Sequence, residues 1–186
     1  MLMRSKAGRL VAATLQNHGV TCIFGMEDPI EVFHALDRNR TRIVTVHDEK
    51  HAAIMAHGYA QAVARPGVCA STSGPGASNL ATGLLEALRS SVPVIALVQD
   101  HPTSVKGRNA SSELDHRAAL EPFVKAVLRI DEPGQASARV RQAFRLSTAG
   151  RPGPVALLCP TDVMAAEAEA DPAGDERYAH YPSMRQ

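Results

Sequence analysis

Apolar and polar positions alternate along this chain with two different periods, and the switches between them divide it into short segments. Residues 6–17 carry Leu10, Val11, Thr14 and Leu15 on one helical face, with Ser5 placed to cap the start and Gly19 just past the end. A short apolar run, 20–24, reads as a strand ending at Gly25. Pro29 suits a first helical position, and Ile30, Phe33 and Leu36 follow at helical spacing. The β-branched run 42–46 predicts a strand, and the Ala-rich run 49–64 a helix.

The second half repeats the alternation. Residues 67–72 predict a strand that breaks at Ser73, Gly74, Pro75 and Gly76; residues 77–89 predict a helix with Leu80, Leu84, Leu85 and Leu88 inward. The run 92–98 is almost wholly apolar, as a strand is when both faces of its sheet are covered. Residues 99–116 are polar and aperiodic, too long for a passive connection, and so form a candidate functional loop. A strand over 123–130, a helix over 135–149 with Val140, Ala143, Phe144 and Leu146 inward, and a strand over 155–159 complete the pattern. After Met164 the chain becomes rich in Ala, Glu and Asp and reads as a polar tail, giving a domain at 1–164 and a tail at 165–186.

About six strand–helix alternations predict an α/β fold: a doubly wound, mainly parallel six-stranded sheet with helices on both faces. Such sheets bind ligands beyond the carboxyl ends of their strands. Four segments should therefore share one rim: 25–29, 47–49, 73–76 and the stretch from Gln99 onward.

Composition narrows the function. With 186 residues, 45% hydrophobic and 21% charged, the chain suits one ordinary globular domain. Twenty basic against 19 acidic residues give a net charge of +1, with no electrostatic footprint for nucleic acid or an anionic membrane. No apolar run reaches the roughly 20 residues of a membrane span, and the first ten residues lack a secretory core. Cys22, Cys69 and Cys159 are far apart among apolar neighbours, which favours buried thiols in a reducing cytoplasm over disulfides or zinc ligands.

Two local motifs admit several chemistries. The turn from Ser73 to Asn79 carries glycines that let a ligand approach backbone, yet a ligand-free tight turn fits equally. Read as a dinucleotide motif, it has Asn79 in place of the third glycine, with Asp100 as the ribose-binding acid. His47 and His51 are four apart, a possible metal pair, but the order is not H-E-x-x-H and His47 precedes the helix, so no metal ligand is assigned. Glu49 alone is an acid favoured at a helix N-terminus.

Taken in order, the motifs are more specific. Gly19 and Val20 lead to Phe24-Gly25; Glu49 is followed by Gly58-Tyr59-Ala60; then come Ser73-Gly74-Pro75-Gly76-Ala77-Ser78-Asn79-Leu80, and Gly150-Arg151-Pro152-Gly153-Pro154-Val155 with Pro160 and Asp162-Val163. From about residue 5 to residue 163 this resembles the N-terminal, pyrimidine-binding domain of thiamine-diphosphate enzymes, in the acetohydroxyacid synthase and 2-oxo-acid decarboxylase family.

The resemblance implies that Glu49 is catalytic, hydrogen-bonding N1′ of the cofactor's aminopyrimidine from a position shielded from water. It implies that Gly25, Met26, Ser73, Gly74, Pro75, Gly76 and Asn79 line the cofactor. On the substrate side, loop position alone makes Gln99, His101, Ser111 and Ser112 candidates for polar contacts to a 2-oxo acid. Two segments depart from the family. Phe24-Gly25-Met26-Glu27-Asp28-Pro29 stands where F-G-x-P-G is common, and Ser111-Ser112-Glu113 where Phe-Gln-Glu is found in acetohydroxyacid synthases. The 186-residue sequence contains no G-D-G, the motif with which family members hold diphosphate and Mg²⁺. The expectation is thus a pyrimidine-binding subunit acting on a 2-oxo acid. A separate diphosphate-binding subunit would hold Mg²⁺, in an α₂β₂ assembly without FAD. A non-catalytic assembly or regulatory subunit with the same fold is the alternative, against which the presence of Glu49 weighs.

Overall fold

The structure is a computed structural model and describes residues 3–170. The polar stretch 171–186 of the expected tail lies outside the described residues. The chain runs β1 (Met3–Lys6), α1 (Ala7–Asn17), β2 (Cys22–Gly25), α2 (Ile30–Ala35), β3 (Arg42–Thr45), α3 (Glu49–Val63), β4 (Gly67–Ser71), α4 (Pro75–Asn79), α5 (Ala81–Arg89), β5 (Val94–Asp100), α6 (His116–Leu120), β6 (Ala126–Arg129), α7 (Ala136–Thr148), β7 (Val155–Pro160), α8 (Thr161–Ala165) and β8 (Glu167–Ala170).

Six strands form one wholly parallel sheet in the order β3-β2-β4-β5-β7-β6, with helices on both faces. The sheet is the doubly wound architecture that the alternation predicts. On one face Val11, Leu15, Phe33, Val140 and Phe144 of α1, α2 and α7 pack against Ile23, Ile95 and Leu157. On the other, Ala52, Ala53 and Ala56 of α3 and Leu80 and Leu84 pack against Cys69, Ala96 and Val98. The central strands β5 and β7 bury Val94 through Val98 and Val155 through Leu157 completely. Each such Val, Leu or Ile contributes roughly 1.5–3 kcal/mol against the entropy of ordering the chain.

Where sequence expectation and structure differ, the cause is local. Ser5 does not cap α1; it lies in β1, and Lys6 holds the N-cap position without a side-chain bond. β1 pairs antiparallel with β8, so the segment just after Met164, where α8 ends at Ala165, contributes a strand before the described residues end. The expected helix 77–89 is two helices meeting at Leu80. Strand β5 starts two residues late because Pro93 has no N–H and the Val92 amide closes the preceding helix on Ala87 O. Strand β6 is shorter than expected, since Glu121–Phe123 form a 3₁₀ turn.

The topology places the functional rim. The order in which strands are added to the sheet reverses between β2 and β4, parallel neighbours whose ends lie side by side with Gly25 opposite Ala70. Helix α3 sits flush on the sheet because its inner face is alanine; a Cβ on Gly67 of β4 would lie 2.0 Å from Ala56 O. That close seating delivers the first residue of α3, Glu49, to the crevice at this switch point.

Candidate functional site

Asp48 caps α3 by accepting from the Lys50 amide at 2.7 Å, and Glu49 follows as the first helical residue. Glu49 is only 4% exposed. Its Oε2 accepts from Asn79 Nδ2 at 3.0 Å, whereas Oε1 has no hydrogen-bond partner among the described residues. The helix N-terminus favours negative charge there. A second acid stands beside it: Asp28, after β2, feels both a hydrogen bond from Thr72 and the charge of Glu49. Burial raises the Asp28 pKa, Glu49 adds to the rise, and the Thr72 bond only partly offsets it.

The 73–76 turn is shaped by two glycines. Gly74 has φ +61° and ψ −114°, a conformation that side chains disfavour, and a Cβ there would lie 2.4 Å from Ser112 O. Its carbonyl accepts from the Ser78 amide at 3.1 Å and its amide donates to His116 Nε2 at 2.8 Å. A Cβ on Gly76 would lie 2.7 Å from Glu49 Oε1 and 2.7 Å from Thr72 Cγ2. The turn and the carboxyl therefore fit together only because residue 76 has no side chain.

Behind the turn runs a polar chain. His116, 2% exposed, accepts from Gly74 through Nε2, so the ring proton sits on Nδ1 and points to Asp100 Oδ1 at 2.8 Å. Asp100 Oδ2 accepts from Arg129 Nε at 2.9 Å, and Arg129 Nη1 donates to Asp131 at 2.6 Å. Burial alone would raise the Asp100 pKa, but the bonds from His116 and Arg129 outweigh it and bring the carboxyl to about 2. Burial likewise works against the Arg129 charge, and Asp100 and Asp131 more than restore it. Sequence reasoning missed His116 and Arg129. It considered Asp100 only as a ribose acid, a role for which its oxygens are already taken by His116, Arg129 and the His101 amide.

The other expected residues fall into three groups. Gly25 ends β2, where a Cβ would lie 2.6 Å from Ala70 O, and Met26 packs half-buried against the core beneath α3. Pro75 opens α4 and Ser73 begins the turn, with no side-chain bond for Ser73 among the described residues. Of the substrate-side candidates, Ser112 reaches the turn through its backbone and Ser111 is exposed. Gln99 Oε1 lies 3.5 Å from the Ile30 amide, and His101 stands edge-on to His116 with ring centroids 5.9 Å apart. His47 and His51 are both exposed, and no group of three or more metal-ligating side chains occurs among the described residues. No described helix is long and apolar enough to cross a membrane.

A nearly buried carboxyl, one oxygen pinned by an amide and the other unpaired, suits a ring nitrogen that shares a proton. Residues 5–119 match the family model described as "Thiamine pyrophosphate enzyme, N-terminal TPP binding domain". The chain is 38% identical over 181 residues to an acetolactate synthase of Arthrospira platensis, covering 92% of this chain and 31% of that protein. It is 38% identical over 169 residues to a probable acetolactate synthase large subunit of Methanocaldococcus jannaschii, covering 89% and 28%. An acetolactate synthase of Bacillus subtilis is 34% identical over 165 residues, covering 88% and 29%. The chain thus spans less than a third of the length of these relatives.

Proposed function

The chain belongs to the thiamine pyrophosphate enzymes, as their N-terminal cofactor-binding domain, and from that premise we propose that it supplies the pyrimidine side of a thiamine diphosphate site that decarboxylates or carboligates a 2-oxo acid. Glu49 is the catalytic residue in this reading, and the observation that carries it is the free Oε1 on a carboxyl that is otherwise buried. When bound, thiamine diphosphate would supply the electron sink for loss of carbon dioxide. This chain would contribute the group that holds or releases a proton at the pyrimidine ring.

Each neighbour has a part in that task. Asn79 fixes the rotation of the carboxyl by its bond to Oε2, leaving Oε1 directed by elimination toward the ligand. Gly76 brings backbone against the same carboxyl, and Gly74, clamped between His116 and Ser112, sets the turn that presents it. Gly25 and Met26 form the opposite lip at the end of β2. Asp28 places a second acid next to Glu49, where the family's common Pro-Gly pair is absent.

The diphosphate and Mg²⁺ would be held by a diphosphate-binding unit outside these 186 residues, and an α₂β₂ arrangement of two subunits is the simplest form. The test is to combine the full chain with a separately expressed diphosphate-binding unit from the same source and to measure thiamine-dependent carbon dioxide release from a panel of 2-oxo acids. Release that requires both components and is lost in Glu49→Gln supports the reading. Release that is indifferent to Glu49→Gln overturns it.

A further inference from the structure

The geometry points to a second binding site, for a short-chain carboxylate, in a cavity walled by His116. The cavity has a volume of about 340 Å³, within the range of small-molecule sites, and lies between the carboxyl ends of β5, β6 and β7 and the loop 106–117. None of Glu49, Gly74, Gly76 and Asn79 lines it, so it is distinct from the thiamine cradle.

The hydrogen-bonding capacity around it is lopsided. Three acids contribute to the lining, and each already accepts from the protein. Asp100 takes bonds from His116, Arg129 and the His101 amide. Glu113 accepts from the Gly107 and Ala110 amides, and Asp115 from the Ala118 amide as the cap of α6. The donors are not used up in the same way. Lys106 has no hydrogen-bond or ion-pair partner among the described residues, and Arg117 spends only Nη1, on Val127 O at 3.1 Å. His101 Nε2 is buried with no hydrogen-bond partner among the described residues, an arrangement that costs about 1–3 kcal/mol unless something fills it.

Lys106 and Arg117 bring cationic donors that the protein leaves largely unspent, which suits an anion, and a guanidinium matches a planar carboxylate in particular. Leu114 and Leu158 add an apolar wall, which fits a short aliphatic chain better than a fully polar ion. The ligand class is therefore a small aliphatic acid, with its carboxylate between Lys106, Arg117 and His101.

The experiment needs no thiamine diphosphate and no second subunit, so its failure and the failure of the proposed function are separate results. The full chain, isotope-labelled, is titrated with propionate while the His101 imidazole and Arg117 guanidinium resonances are followed by NMR. Propionamide, the uncharged isostere, serves as the control. The expected result is a saturable shift with propionate, little response to propionamide, and binding at least tenfold weaker in Lys106→Met, an exposed position where the fold is not at stake. Arg117→Met should abolish it. Absence of a saturable shift, an equal response to propionamide, undiminished binding in both variants, or tighter binding of inorganic phosphate would each overturn the assignment.

Discussion

Asn79 and Glu49 are 30 residues apart in sequence, yet the amide of one donates to the carboxylate of the other at 3.0 Å across the crevice between α4 and α3. The bond fixes which oxygen of Glu49 is left available. It also separates chemistry from stability at this position, because a glutamine can occupy the same space with similar shape.

Glu49→Gln should therefore fold normally, with stability within about 1 kcal/mol of the parent, while thiamine-dependent turnover of the reconstituted enzyme falls by roughly 10²–10⁴-fold. Thermal melting and carbon dioxide release measure the two halves of this expectation. Asn79→Ala should do less, about tenfold on turnover, since the carboxyl survives and loses only its orientation.

Gly76→Ala tests the close approach of the turn. The added methyl meets Glu49 Oε1 and Thr72 Cγ2, both at 2.7 Å, so the neighbours must shift, at a cost of about 1–3 kcal/mol. Gly58→Ala is the comparison: it sits within α3 with nothing within 4 Å of its Cβ, and should stabilise the isolated chain by about 0.5–1 kcal/mol through helix propensity alone. Equal melting temperatures for the two variants would show that the turn does not press on Glu49.

His116→Phe keeps the ring volume but removes both hydrogen bonds, leaving the Gly74 amide without its acceptor and Asp100 with only Arg129 and the His101 amide as donors. Two buried polar groups lose a partner, so a loss of about 2–4 kcal/mol is expected. The Gly74 amide should exchange with solvent faster by hydrogen-exchange measurement. His116→Gln, which can still accept from Gly74, should recover part of the protection.

The layers of the fold are legible in the sequence because each rests on a local pattern: a run of β-branched residues, an alanine face, a Gly-Pro-Gly break. The group of Glu49, Gly76 and Asn79 is legible for a related reason, since two adjacent strand–helix junctions supply all three. The His116 chain is not. Its bonds connect residues 16, 29 and 42 positions apart, and no periodicity marks a histidine in a polar loop as the partner of a distant backbone amide. Ser112 meets the turn through its carbonyl, which residue identity does not reveal. The β1–β8 pair escapes notice because each strand is four residues long and largely polar, with neither a buried face nor a turn between them to signal pairing.

The thiols give a prediction about reactivity. Burial pushes Cys69 up to about 12 and raises Cys159 further, whereas Cys22 is half-buried at the end of the sheet, with Arg42 partly offsetting its rise. In the native protein an aromatic disulfide reagent should titrate at most one thiol, Cys22, with the other two appearing only on unfolding. Cys22→Ser should remove the native signal entirely.

Acid should expose the contribution of Asp100. Its folded pKa of about 2 lies below the ordinary aspartate value of about 3.9. A depressed carboxyl stabilises the fold above its unfolded pKa, so the contribution is complete above roughly pH 5 and is lost as pH falls through 4 toward 2. Allowing for partial solvent screening, it is on the order of 1–2 kcal/mol. Asp100→Asn removes the charge that His116 and Arg129 hold, so the variant should be less stable at neutral pH and should lose less stability between pH 5 and pH 2 than the parent. Urea unfolding at a series of pH values measures both slopes. Parallel slopes for the two proteins would mean that His116 and Arg129 do not hold the carboxylate in solution.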